Sequence, residues 1–185
     1  DLHPDAVSNL EMGYLYDELV RRFSELSNET AGGHFTPREV IRLMVNLWPP
    51  FLFSGIRVLV IRDDWHYVKV RLRRHWFNRN YKGTHFGGSL FAMADPFWMI
   101  PIAECLGREY RVWDQAAEIT FVTATREDVF TEFVIEEGVL DEIRQSAANG
   151  DKVLRWFEND IKTADGEIVA RFRKQVYVRR KRDRT

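Results

Sequence analysis

The chain has 185 residues, 45% of them hydrophobic and 30% charged, and a formal net charge of −1. That supplies apolar side chains for one folded domain plus an appendage. The near-neutral balance removes any global electrostatic case for binding nucleic acid or a membrane. The only cysteine, Cys105, excludes an internal disulfide and fits a reducing cytoplasm. It falls in an apolar run and reads as a small core residue. No stretch reaches the ~20 apolar residues that span a bilayer, and no signal peptide is visible. The chain starts at Asp1 rather than methionine, so its natural start is expected to lie outside this sequence or to have been removed.

In chain order, residues 12–26 place Leu15, Leu19, Phe23 and Leu26 at helical spacing, and a polar loop runs from Ser27 to Gly33. Thr36-Pro37-Arg38-Glu39 starts a second helix, with Thr36 as N-cap and Pro37 in the first turn, and Trp48-Pro49-Pro50 stops it. Beyond residue 48 the composition changes, since all six tryptophans lie at or after it. Ile56–Ile61 and Tyr67–Leu72 read as strands about an Asp63-Asp64 turn. From Phe86 or Gly87 to about Leu106 the sequence predicts one long, mostly apolar helix, bent at Pro96 and Pro101 and ended by Gly107. Gln115–Thr123 and Val129–Ile135 are strand-like, and Val139–Ala148 is helical. Leu154–Thr163 and Glu167–Val178 form a closing hairpin turning at Asp165-Gly166. The basic ending from Arg179 to Arg184 reads as a solvated tail. Strands grouped apart from helices favour an α+β fold, a sheet wrapped around a helix.

The stretch from Asn80 to Asp95 carries the chemistry. A polar loop leads into Gly87-Gly88, an apolar helical run follows, and Asp95 lies inside that run. Buried carboxylates are costly unless paired, so Asp95 needs a reason to be there. Two glycines at a helix start let backbone N–H groups approach a ligand closely. Together they suggest a carbonyl-polarising pocket with a carboxylate beside it. The bland readings are an ordinary helix residue for Asp95, a tight turn for Gly87 and Gly88, and a turn residue for Asn80. His66 and His75 lie in strand-like runs and read as surface or packing residues. No His, Cys or carboxylate cluster has metal-ligand spacing, and no serine elbow is present.

Two resemblances follow. Residues 48–185 resemble the hotdog-fold thioesterase superfamily, closest to a bacterial branch of thioesterase-like proteins. The matching residues are Trp48-Pro49-Pro50-Phe51, Gly55-Ile56-Arg57-Val58, Asn78-Arg79-Asn80-Tyr81, the block Gly83 to Pro96, Val112-Trp113-Asp114 and Val176 to Lys181. The phenylacetate-type acyl-CoA thioesterases show an Asn, a Gly three residues on, His-Gly-Gly and then a helical Asp. Asn80, Gly83, Gly87, Gly88 and Asp95 fall on that spacing, while Phe86 occupies the histidine position and His85 sits one residue early.

The resemblance implies an α+β hotdog domain, an antiparallel sheet around a long central helix, acting on an acyl-CoA or acyl-carrier thioester. Asp95 would orient or deprotonate the attacking water. Gly87 and Gly88 N–H groups would stabilise the oxyanion, Asn80 would place the carbonyl or the water, and His85 stands as a substitute histidine. Independently of the resemblance, Asp114, which follows Trp113 in a strand-like region, reads as a residue supporting the site. No cofactor is implied beyond coenzyme A as part of the substrate. The expected assembly is a homodimer or dimer of dimers, cytoplasmic, with neither nucleic acid nor membrane as partner.

Residues 1–47 resemble a fragment of the adenine-methylating subunit of type I restriction–modification systems, on Met12 to Phe23 and Gly33 to Met44. The glycine-rich cofactor loop that should follow is absent. Trp48-Pro49-Pro50-Phe51 arrives too early, with Trp in place of the amine-accepting residue, to be that family's catalytic tetrapeptide. The expected organisation is a helical appendage over 1–47 and a thioesterase-like domain over 48–185. Three functions stay open: a thioesterase, a non-catalytic acyl or hydrophobic-ligand binder (because Phe86 replaces histidine), and an inactive S-adenosylmethionine-dependent methyltransferase fragment fused to a hotdog domain.

Overall fold

The computed structural model describes residues 37–181. The chain divides into two compact units, Asp1–Met44 and Val45–Thr185, so Val45 and Asn46 belong with the second. The helix expected over 12–26, the Thr36 cap and the basic ending beyond Lys181 lie outside the described residues.

The first helix, α1, is Pro37–Leu47. Trp48-Pro49-Pro50 ends it and also starts a short second helix, α2 (Pro49–Ser54), which the sequence reading did not anticipate. Proline cannot continue a helix but suits a first turn, where its missing N–H has no partner anyway. Gly55 closes α2 at φ +79°, and a Cβ there would stand 2.6 Å from the Arg73 carbonyl oxygen. Only glycine fits that position.

Six strands form one antiparallel sheet: β1 (Ile56–Ile61), β2 (Tyr67–Leu72), β3 (Tyr110–Phe121), β4 (Val129–Val134), β5 (Lys152–Thr163) and β6 (Ile168–Arg180). Their order is β1-β2-β4-β5-β6-β3, which leaves β1 and the twelve-residue β3 at the edges. On β1, the Asn46 side chain takes the outward N–H and C=O of Val58 at 2.7 and 3.1 Å, beside a bulge between Val58 and Val60. Such a cap blunts an exposed edge.

The two-residue period of a strand sends alternate side chains inward. Val68, Val70 and Leu72 on β2 thus face the core beside Phe133, Thr131 and Val129 on β4. On β6 the inward set is Ala170, Phe172, Lys174, Val176 and Val178, all buried.

The expected long helix is in two pieces, α3 (Gly87–Ala92) and α4 (Met99–Leu106). Pro96 lacks an N–H and its ring collides with the carbonyl four residues back, which is that of Ala92. The residue before a proline is also driven out of helical geometry, and that residue is Asp95. Proline therefore breaks the run rather than bending it and sets Asp95 in the turn between helices. Pro101, in the first turn of α4, is tolerated. The turn packs its aromatics on the sheet: Trp98 stacks on Phe157 at 4.7 Å and meets Phe133 edge-on at 5.4 Å, and Phe97 touches both Phe133 and Phe51. Between β4 and β5, α5 (Glu137–Ser146) buries Leu140 and Ile143. Cys105 is half-buried rather than in the core, and its environment pushes the thiol up to about 11.

Candidate functional site

Two cavities flank the start of α3. One of about 340 Å³ is lined by Asn80, His85, Gly87, Leu90, Phe121 and Val169, among others. The second, also about 340 Å³, is lined by Phe53, Phe77, Asn78, Phe86, Gly88 and Ser89, among others. Gly87 and Gly88 open the helix that divides them. As the first residues of α3 their N–H groups have no acceptor within the helix. Both glycines have a packing reason as well: a Cβ on Gly88 would stand 2.4 Å from the Phe86 ring, and one on Gly87 3.0 Å from Phe121. Phe86, at the position where the resembled family has histidine, is largely exposed.

The loop before α3 is built by its own asparagines. Asn80 Nδ2 donates to Thr84 Oγ1 and to the His85 carbonyl at 2.8 and 3.2 Å. Its Oδ1 accepts from the Lys82 and Thr84 N–H groups at 3.0 and 3.2 Å. Asn80 lines the cavity with its amide already committed to the turn. Asn78, buried, donates to the Ser54 and Arg73 carbonyls and accepts from the His75 N–H, each at 2.7 Å. It thereby ties the loop to the end of α2 and of β2. His85 is buried with Nε2 2.6 Å from the Glu127 carbonyl oxygen, while Nδ1 is buried with no partner among the described residues. Burial holds its pKa below the ordinary imidazole value, against the opposing effect of the Glu127 bond.

Asp95 lies outside the linings of both cavities. Its neighbours are charged rather than purely apolar. Oδ1 accepts from Lys174 Nζ at 2.7 Å, and the Asp95 side chain is 51% exposed. Lys174 is 1% exposed and also meets Asp114 Oδ2 at 3.0 Å. Burial pushes the Asp114 carboxyl above the usual aspartate value, with Lys174 pulling the other way, and Asp114 Oδ1 is buried with no partner among the described residues.

The sequence reading named Asp95 and Asp114 and missed Lys174. A signal was present: in the alternation of β6, lysine occupies a position whose neighbours two residues away are Phe172 and Val176. Asn78 was noticed only as part of a matching run. The structure thus brings Asn80, His85, Gly87 and Gly88 around one helix start and sets Asp95 in a separate cluster with Lys174 and Asp114. Away from both, His66 bonds the Ile135 carbonyl and pairs with Glu137, and His75 stacks on Phe77. Among the described residues no group of three or more His, Cys, Asp or Glu side chains is placed to hold a metal ion, and no helix is long and apolar enough to cross a membrane.

A family model described as "Domain of unknown function (DUF4442)" matches residues 36–178. Solved structures share the fold. A protein of unknown function from Pseudomonas aeruginosa, described as a probable thioesterase, is 19% identical with a TM-score of 0.60, and the match covers 80% of this chain and 100% of that one. A thioesterase from Haemophilus influenzae is 13% identical with a TM-score of 0.58, covering 80% and 93%. A protein of unknown function from Chlorobaculum tepidum is 13% identical with a TM-score of 0.61, covering 75% and 91%. No curated protein sequence matches the chain. At these identities the likeness is one of fold: an α+β domain built on a six-stranded antiparallel sheet.

Proposed function

We propose that this chain, which belongs to the DUF4442 family, is a thioester hydrolase with a hotdog fold, acting on acyl-CoA or acyl-carrier substrates. The observation that carries the reading is the Asp95 carboxylate. Oδ1 is fixed by Lys174, and Oδ2 makes no hydrogen bond to the protein among the described residues. A carboxylate anchored by one oxygen can hold a water on the other. In the reaction, the water oxygen bonds to the acyl carbon and the C–S bond breaks. The water's hydrogens end on the acid, or in solvent, and on the departing thiol. Gly87 and Gly88 N–H groups receive the developing oxyanion, an interaction whose loss typically costs ~3 kcal/mol. The flanking cavities, lined by Leu90, Phe121, Phe77 and Phe86, suit an apolar acyl or pantetheine chain.

The reading includes a homodimer with shared sites. Asp95 is absent from the linings beside Gly87 and Gly88, so a second copy is the natural source of the carboxylate there. Among the described residues the long edge strand β3 is paired only on its β6 side, and a two-fold partner would cover its free side. Asp95→Asn and Gly88→Trp proteins, each inactive, should regain partial activity when mixed and allowed to exchange subunits. A sedimentation mass of one chain at micromolar concentration would contradict the shared site.

The direct test of function is hydrolysis of an acyl-CoA panel from short to long chains, read by release of free thiol. Turnover of at least one chain length is expected. Saturable binding without turnover across the panel would replace this reading with that of an acyl-binding protein, which the Phe86 substitution favours.

A further inference from the structure

We propose that Lys174 is a positioning residue for Asp95: its buried ammonium fixes one oxygen of the Asp95 carboxylate and leaves the other free to hold the attacking water. The inference rests on the reading of Asp95 as the carboxylate of thioester hydrolysis.

The fold alone does not call for a lysine here. Position 174 faces the core between Phe157 on β5 and Ala117 on β3, on a strand whose other inward residues are Ala, Phe and Val. A valine would satisfy that alternation. Burying a cation costs several kcal/mol unless it is paired, and replacing buried ion pairs by apolar groups is often neutral or stabilising. Retaining one ammonium among these side chains therefore asks for another reason.

The geometry supplies it. Lys174 meets two carboxylates from separate parts of the chain, Asp95 in the Pro96 turn at 2.7 Å and Asp114 on β3 at 3.0 Å. The three partners differ in access to water. Lys174 is 1% exposed and Asp114 mostly buried, while about half of the Asp95 side chain is open. The cluster thus presents to solvent the carboxylate of Asp95, held from beneath by a hidden ammonium. That ammonium is itself constrained by Asp114 and by packing near the Phe172 ring, 5.9 Å away. Two carboxylates also share a single cation, and Asp114 Oδ1 has no donor among the described residues. A cluster kept only for stability would be expected to satisfy its buried oxygens.

The test compares Asp95→Asn, Asp114→Asn and the double variant Lys174→Met/Asp114→Asn. The double variant is used because Lys174→Met alone would strand the buried Asp114 carboxylate. With a hydrolysed acyl-CoA as substrate, the double variant should lose kcat by about ten-fold or more, with KM held within about two-fold. Asp114→Asn alone, which keeps the Lys174–Asp95 bond, should lose less than the double variant. A merely structural lysine would lower the thermal transition without splitting kcat from KM. An inactive Asp95→Asn beside a double variant with wild-type kcat and KM would overturn the positioning role alone. A fully active Asp95→Asn would overturn the reading of Asp95 itself, and the positioning role with it. Should the double variant show no cooperative thermal transition, Lys174→Gln/Asp114→Asn carries the same comparison with the same outcomes.

Discussion

The two asparagines of the loop before α3, Asn78 and Asn80, and the Asp95 cluster solve opposite problems with polar groups. In the loop, polarity is local: both ends of the Asn78 and Asn80 amides are consumed within the loop or by the element ends it joins. In the cluster, polarity is long-range: three charges come from a turn, from β3 and from β6, and among the described residues the exposed Asp95 Oδ2 and the buried Asp114 Oδ1 make no hydrogen bond. A saturated network fixes shape and has little left for a ligand. An unsaturated, partly exposed one has an oxygen to spare. The comparison assigns scaffolding to the asparagines and chemistry to Asp95.

Substitutions of the two asparagines should therefore read out mainly as stability. The largest effect is expected at Asn78. Asn78→Leu removes three hydrogen bonds and leaves the Ser54 and Arg73 carbonyls and the His75 N–H without their partner. The expected loss is about 3 kcal/mol or more, measured as a lower urea midpoint. Asn80→Ala should cost about 1 kcal/mol, since its partners lie nearer to water. If instead it abolished hydrolysis while leaving the midpoint unchanged, Asn80 would belong with the chemistry and the contrast would fail.

Gly88→Ala places a Cβ against the Phe86 ring, which is 56% exposed and free to swing outward. The stability change should be under about 1 kcal/mol, while hydrolysis falls as the ring moves over the neighbouring cavity. A structural determination of the variant checks that displacement.

His85 gives the smallest effect. Its folded pKa is lowered by burial, so its neutral form stabilises the fold fully above the ordinary imidazole value of 6.5. That contribution is lost as pH falls through the lower folded value. The thermal midpoint of the wild type should thus approach that of His85→Asn as pH drops from about 7 to about 5. A gap independent of pH would mean that His85 does not titrate between the two states.

What the sequence revealed follows the same divide. Strand boundaries were legible to within a few residues for β1, β2 and β4, where β-branched runs alternate between turn signals. The loop motif was legible because Asn80, Gly83, Gly87 and Gly88 are neighbours in the chain. The α3–α4 break is harder to read: apolar periodicity predicts one helix bent at Pro96, while the proline's effects on the residue before it and on the carbonyl four back act together to break it. Start α2 was hidden because Pro-Pro is read first as a stop. The Lys174 pairing was invisible for another reason. Asp95, Asp114 and Lys174 are brought together only by the Pro96 turn and by the β3–β6 register, which includes a bulge between Asp114 and Ala116. Spacing along one element does not encode such a meeting.

The central claim is that Asp95 carries the chemistry of thioester hydrolysis. It is tested most directly by steady-state hydrolysis of the preferred acyl-CoA by wild-type and Asp95→Asn proteins, matched for folded concentration by their thermal transitions. The background from Cys105 should be small, because a thiol pushed up to about 11 is scarcely ionised at neutral pH. The account predicts a fall in kcat of roughly 10²-fold or more with the fold intact. Equal turnover by the two proteins would contradict it.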